Sequence, residues 1–259
     1  MTGRFFCIAL ALALFGLGPQ TSEAQRFSYG ADRARTVQSL SFRYTWVDFE
    51  YNGDDANPPI SYAFSSPVYG VVFTRPNFYA SIAVGSDERA ASAGVPARDR
   101  RMLDAALFTW GALSPFPRFA EGRYRLFVPI LLHSGYRRVT DRNVEEDFDT
   151  DFTVTSLGLG AGVGFAAELN ARVILEGRAA PVIALATREF DSGLGNARLF
   201  DADVQAHIGP LAGRFGLSVG YGFRAQVWNL RGSDLFGEAV ADLYDYRGTQ
   251  HTFRVGVNF

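Results

Sequence analysis

The 259-residue chain has no lysine: all 25 of its basic residues are arginine, set against 27 acidic ones for a formal net charge of −2. This near-neutral balance carries no electrostatic footprint for nucleic acid, and no nucleic-acid partner is expected. Cysteine is almost missing as well. Its one instance, Cys7, stands near the N-terminus, so the rest of the chain has no disulfide to staple it. Long apolar runs are also absent. Beyond the first 24 residues no segment holds 18 consecutive apolar side chains, which excludes a helical membrane protein.

What is present is an unusual mixture of 14% aromatic residues and 27 glycines. At the N-terminus, Arg4 precedes an apolar run from Phe5 to Leu17, a Gly18-Pro19 break, and Ser22-Glu23-Ala24 before Gln25. This is the three-part layout of a secretory signal peptide over residues 1–24, with small residues where a signal peptidase reads. Its apolar run of about 13 residues is too short for a helical anchor, which needs about 20. Cys7 lies too early for a lipoprotein cleavage site. Residues 25–38 are then expected as a short periplasmic segment, and 39–259 as one all-β domain.

The case for β structure is the period of two. Near the C-terminus Phe253, Val255, Val257 and Phe259 alternate with Thr252, Arg254, Gly256 and Asn258. From Phe215 to Val227 an apolar set alternates with Gly216, Ser218, Gly220, Gly222, Arg224 and Gln226. Ala202, Val204, Ala206 and Ile208 alternate with Asp201, Asp203, Gln205 and His207. Similar patterns cover Ser39 to Val47, Arg123 to His133 and Arg172 to Leu185, with weaker ones at Pro67 to Thr74, Phe78 to Gly85, Arg101 to Leu113 and Phe152 to Ala167. That makes ten candidate strands, an even number as bacterial single-chain membrane barrels have, with eight or twelve open because Pro67 to Gly85 divides in more than one way. Between them, long connections (Glu50 to Ser66, Ser86 to Arg100, Val139 to Asp151, Phe190 to Asn196, Arg231 to Arg247) alternate with short ones.

Alternation alone fits a soluble sandwich or a membrane barrel. Candidate strands of 11 residues or more favour the barrel, because soluble strands run 5 to 6 and tilted membrane strands 9 to 11. So do aromatics near strand ends (Tyr44, Trp46, Phe49, Tyr51, Trp228 and Phe259), read as interfacial girdles. The expected fold is therefore an antiparallel up-and-down transmembrane β-barrel. Gly158, Gly160, Gly162 and Gly164 recur at every second position. They miss the Gly-x-Gly-x-x-Gly spacing of a nucleotide site, and are expected to form a smooth strand face that admits large side chains from across the barrel.

Taken with the signal layout and the amphipathic strands, Val255-Gly256-Val257-Asn258-Phe259 resembles the C-terminal strand of the bacterial outer-membrane β-barrel superfamily. That resemblance implies that the barrel-assembly machinery reads Phe253, Val255, Val257 and Phe259. It also implies the cell outer membrane as location, with membrane lipid and lipopolysaccharide as partners.

The strand phases turn Arg43, Asp104, Arg125, Glu176, Arg178, Asp201, Asp203, Arg224 and Arg254 into the lumen, where charges of both signs are expected to pair. A narrow polar conduit is the alternative use of the same residues, although ten strands leave little free bore. The segment with Asp141, Glu145, Glu146, Asp147, Asp149 and Asp151 resembles a calcium loop only superficially, since Phe152 replaces the turn glycine. No metal or cofactor is expected. Of the three histidines, only His133 has an adjacent serine, Ser134, which leaves a lipid A-modifying enzyme as a further alternative. The reading preferred is a non-enzymatic small barrel with a structural or surface-binding role.

Overall fold

The computed structural model describes residues 37–53, 60–89, 98–114, 123–141, 152–188, 194–212, 214–233 and 239–259. These form β1 (Ser39–Gly53), β2 (Ile60–Arg75), β3 (Phe78–Arg89), β4 (Arg98–Leu113), β5 (Tyr124–Asp141), β6 (Phe152–Ala161), β7 (Val163–Asn170), β8 (Val173–Arg188), β9 (Leu194–Ala212), β10 (Phe215–Ser233) and β11 (Ala239–Asn258). Every pairing is antiparallel and sequential, and β1 pairs with β11, so the sheet closes on itself. β6 and β7 occupy one stave. Both pair with β5 and with β8 in one register across the break at Gly162, with a shift against β8 between Glu168 and Asn170. The ring therefore has ten staves.

The stagger of the ring can be followed residue by residue. From Arg125 on β5 the cross-strand row runs through Ala166, Glu176, Gln205, Gly220, Arg254, Arg43, Gly70, Ala83 and Asp104. It returns to β5 at Arg137, twelve residues beyond its start. With ten staves, that shear tilts the strands by about 40° and sets a backbone radius of about 10 Å. Such a bore is filled by side chains.

The outer face carries the apolar residues. Phe42, Val71, Ile82, Leu159, Ile183, Phe253 and Val255 are exposed hydrophobics, half or more accessible in most cases. On β10 the outward apolar run from Phe215 to Val227 covers thirteen residues, about 30 Å along the axis at this tilt, which matches a bilayer's hydrocarbon core. The inner face is charged: Arg43, Asp104, Arg125, Arg137, Asp201 and Arg254 are all buried. A soluble barrel has the opposite polarity.

Toward the end away from the termini the two faces exchange character. On β1 the outward side chains pass from Leu40, Phe42, Tyr44 and Trp46 to Asp48 and Glu50, while the inward ones pass from Ser41, Arg43 and Thr45 to Val47 and Phe49. The strands continue past the membrane as an ordinary water-facing barrel with an apolar core of Val47, Phe49, Phe64, Val68, Met102, Val139, Val154, Trp228 and Tyr246 among others. Two sequence expectations are corrected here. Phe49 and Trp228 are core residues, 2% and 3% exposed, and not interfacial girdle residues. Two of the long connections, Glu50 to Ser66 and Arg231 to Arg247, are largely strand: β1 reaches Gly53 and β2 starts at Ile60, and β10 reaches Ser233 and β11 starts at Ala239. The expected asymmetry of loop length remains: far-end connections hold five to ten residues and three of the four at the terminal end hold two, the exception being the ten between Leu113 and Tyr124. Exchange of face polarity breaks the single amphipathic pattern, which made each strand read as ending too early.

The glycine stripe also serves a different purpose from the one expected. A Cβ at Gly162 would stand 2.0 Å from the Ala179 carbonyl oxygen, and one at Gly158 2.5 Å from the Ala184 Cβ. The stripe accommodates close approach by the neighbouring strand β8, not side chains from the opposite wall. At Gly164 the space is taken by the Phe127 ring of β5, the other neighbour.

Candidate functional site in the barrel lumen

Small residues in the cross-strand row decide how the lumen charges meet. Gly70 and Ala83 separate Arg43 from Asp104, and nothing bulky blocks the guanidinium as it crosses two strands. Arg43 Nη2 donates to Asp104 Oδ2 at 2.8 Å, its Nη1 to Ser81 at 2.7 Å and its Nε to Thr45 at 3.0 Å. Asp104 also accepts from Arg137, Nη2 at 2.8 Å and Nε at 3.1 Å on Oδ1. Arg137 is the hub of this cluster, next to the far-end core. It donates to the Tyr246 hydroxyl, and Gln226, in the orientation that satisfies both its amide atoms, accepts from it at 2.9 and 3.0 Å. Its guanidinium lies 5.8–5.9 Å from the rings of Phe49, Trp228 and Tyr246, within cation–π range.

A second cluster forms around Asp201, which accepts from Arg224 Nε and Nη2 at 3.1 Å and from Arg178 Nη2 at 3.3 Å. Arg254 Nη2 donates to Asp203 at 2.5 Å. Arg125 and Glu176 flank Ala166 in the same row and so face each other over a small residue. All nine residues read as inward from the sequence thus line the lumen. The structure joins Arg43 with Asp104, Arg178 and Arg224 with Asp201, and Arg254 with Asp203.

The central residue Arg137 was not among them. Its signal was there, since the period of two that sets Arg125 inward reaches Arg137 after six steps. The intervening inward Phe127, Pro129 and Leu131 hid it.

The histidines separate. His133 is 1% exposed and its Nε2 lies 3.2 Å from Ser156 Oγ, whereas Ser134 is on the opposite face. The His133-Ser134 pair is therefore not a functional unit, because neighbours on a strand point to opposite sides. His207 bonds Ser218 at 2.7 Å inside the terminal end, and His251 faces outward, 2.8 Å from the Tyr221 hydroxyl. Among the described residues no group of His, Cys, Asp and Glu is placed to hold a metal ion. Of the acidic segment, Asp141 ends β5, and Glu145, Glu146, Asp147, Asp149 and Asp151 lie outside the described residues.

No protein-family model matches the chain, and no curated protein sequence matches it. Solved structures do. The outer membrane protease OmpT from Escherichia coli is 11% identical with a TM-score of 0.45, over 90% of this chain and 99% of that one. The translocator domain of the autotransporter NalP from Neisseria meningitidis is 12% identical with a TM-score of 0.29, over 100% and 99%. Ail, the attachment invasion locus protein of Yersinia pestis, is 12% identical with a TM-score of 0.29, over 87% and 99%. What decides the class is the molecule's own geometry, a closed antiparallel ring with an apolar belt outside and paired charges inside. The fold is that of a transmembrane β-barrel.

Along its axis this barrel has three levels. The far end is filled by the apolar core, in which Trp228 stacks on Tyr246 at 4.7 Å and Tyr246 on Phe49 at 4.9 Å. The middle holds the two arginine–aspartate clusters. The terminal end contains a cavity of about 750 Å³, including its open mouth, bounded by Tyr79, Trp110, Phe127, Glu176, Arg178 and His207.

Proposed function

We propose that the protein is a non-conducting outer-membrane barrel with a structural or surface-binding role, carried by the rigid end that projects beyond the bilayer. One observation carries this reading: the lumen is occupied across its section by Phe49, Tyr246 and Trp228 above the Arg137–Asp104–Arg43 cluster, all at most 3% exposed. A conduit needs hydrated space past these groups, and buried charges bonded to one another do not provide it. Outside the same end stand Asp48, Glu50, Arg101, Arg138 and Arg247, a mixed-charge collar above the apolar belt. Such a collar meets lipid headgroups and the phosphates of lipopolysaccharide. In this reading residues 1–24 direct export. Phe253, Val255, Val257 and Phe259, which face outward, then present the final strand to the assembly machinery. Planar-bilayer recording of the refolded protein is the test. Insertion without discrete current steps is expected, and stable single-channel steps would replace this reading with a conduit.

A further inference from the structure

The charges of the lumen do not balance, and the surplus points to a site. Among the described residues of the middle and terminal levels, six arginines (Arg43, Arg125, Arg137, Arg178, Arg224, Arg254) meet four carboxylates (Asp104, Glu176, Asp201, Asp203). At the far end Asp87 stands opposite Arg100, which leaves the balance unchanged. Asp203 serves Arg254 and Glu176 faces Arg125, but Asp104 is shared by two arginines and so is Asp201. Two positive charges therefore lack a counter-charge in surroundings where an uncompensated ion is costly.

The two surpluses differ in their surroundings. That of the Asp104 cluster is enclosed, with Arg137 wrapped by the Tyr246 hydroxyl, Gln226 and three ring faces. That of the Asp201 cluster lies beside the cavity. Arg178 has one long contact with Asp201, and its Nε and Nη1 are buried with no hydrogen-bond partner. The guanidinium lies 4.1 Å from the centre of the Trp110 ring, which forms the cavity wall with Tyr79 and Phe127.

We propose that this cavity is a binding site for a small organic carboxylate with a flat apolar body, whose carboxylate pairs with Arg178 while its body rests among Tyr79, Trp110 and Phe127. The planar guanidinium matches a carboxylate's two oxygens, and Tyr79, Trp110 and Phe127 give the cavity the aromatic lining of a small-molecule site. Val37, Arg75 and Asn77 at its rim belong to the end that carries both termini, so the ligand enters from there. In the orientation proposed above, that is the periplasmic side. The site does not depend on a closed lumen: conductance is read in a bilayer and ligand binding in micelles, so either reading can fail alone.

The test is calorimetric titration of the folded full chain in detergent with benzoate and, in parallel, with benzylammonium. Saturable uptake of one benzoate and none of benzylammonium is expected, with Arg178→Gln weakening benzoate by about tenfold or more, the loss of a charge-assisted contact. No saturable benzoate binding, equal binding of the cation, or unchanged affinity in a folded Arg178→Gln barrel overturns the proposal. Should Arg178→Gln not fold, Trp110→Leu decides: weaker benzoate binding supports the site and unchanged affinity overturns it.

Discussion

Arg43 and Arg254 stand directly opposite one another across the β1–β11 seam, yet their guanidinium groups run in opposite directions, one to Asp104 and the other to Asp203. Like charges placed opposite in a sheet repel, and the small residues beside them relieve this. Arg43 has Gly70 on its outer side and Arg254 has Gly220, and the Arg254 guanidinium lies directly over its glycine on the way to Asp203. The seam where the first and last strands close the ring is thus tied to β4 and β9 by charged contacts that run along the lumen wall.

Loss of the Asp104 charge should be severe, because this one carboxylate pairs with both Arg43 and Arg137. Asp104→Asn leaves two buried guanidinium groups unmatched and is expected to lower stability by about 3–5 kcal/mol, the usual range for removing one partner of a buried pair. Urea unfolding from liposomes, followed by tryptophan fluorescence, reads the change. Adding Arg137→Met to the variant should recover part of the loss, since it removes one orphaned charge. A midpoint unchanged by Asp104→Asn would show that the pairing carries little of the fold.

The glycines beside the seam can be tested separately. A Cβ at Gly220 would stand 2.7 Å from Arg254 Nη2, whereas one at Gly111 meets nothing within 4 Å. Gly220→Val is therefore expected to displace Arg254 from Asp203 and cost about 1–3 kcal/mol, the range for overpacking. Gly111→Ala should leave the unfolding midpoint nearly unchanged. Equal effects at the two positions would remove the space-filling argument.

Much of this was legible in the primary structure, and the gaps have physical causes. The ten staves and the inward set from Arg43 to Arg254 follow from the period of two, because each strand keeps one polarity through the bilayer. Strand length did not follow, because from Val47 and Phe49 onward the inward face is apolar and the outward one polar. A pattern that inverts looks like a pattern that stops. Phe49 and Trp228 were misplaced for the same reason: an aromatic residue at this level reads as an interfacial anchor until its phase along the strand is followed. The pairing of particular arginines with particular aspartates depends on register, which alternation within one strand does not determine.

Charge scanning of the outer face should locate the membrane boundary. Ile82 lies in the apolar belt, 47% exposed, while Arg101 lies in the collar above it. Ile82→Arg is expected to cost about 2–4 kcal/mol, as for a cation placed near the bilayer midplane. Arg101→Ala should stay within about 0.5 kcal/mol, as for an ordinary exposed position. Folding into liposomes followed by denaturant titration gives both values, and a tolerated arginine at position 82 would argue that this face meets water.

The two tryptophans on either side of the polarity exchange offer a direct optical check. Trp46 points outward at the upper edge of the belt, 42% exposed, and Trp228 points inward into the stacked core, 3% exposed. In single-tryptophan variants reconstituted with brominated acyl chains, Trp46 emission should be strongly quenched and Trp228 emission nearly untouched. A soluble sandwich would quench neither, and a barrel without the exchange, with Trp228 serving as a girdle residue, would quench both. Only an apolar outside that becomes an apolar inside along the same strands separates the two signals.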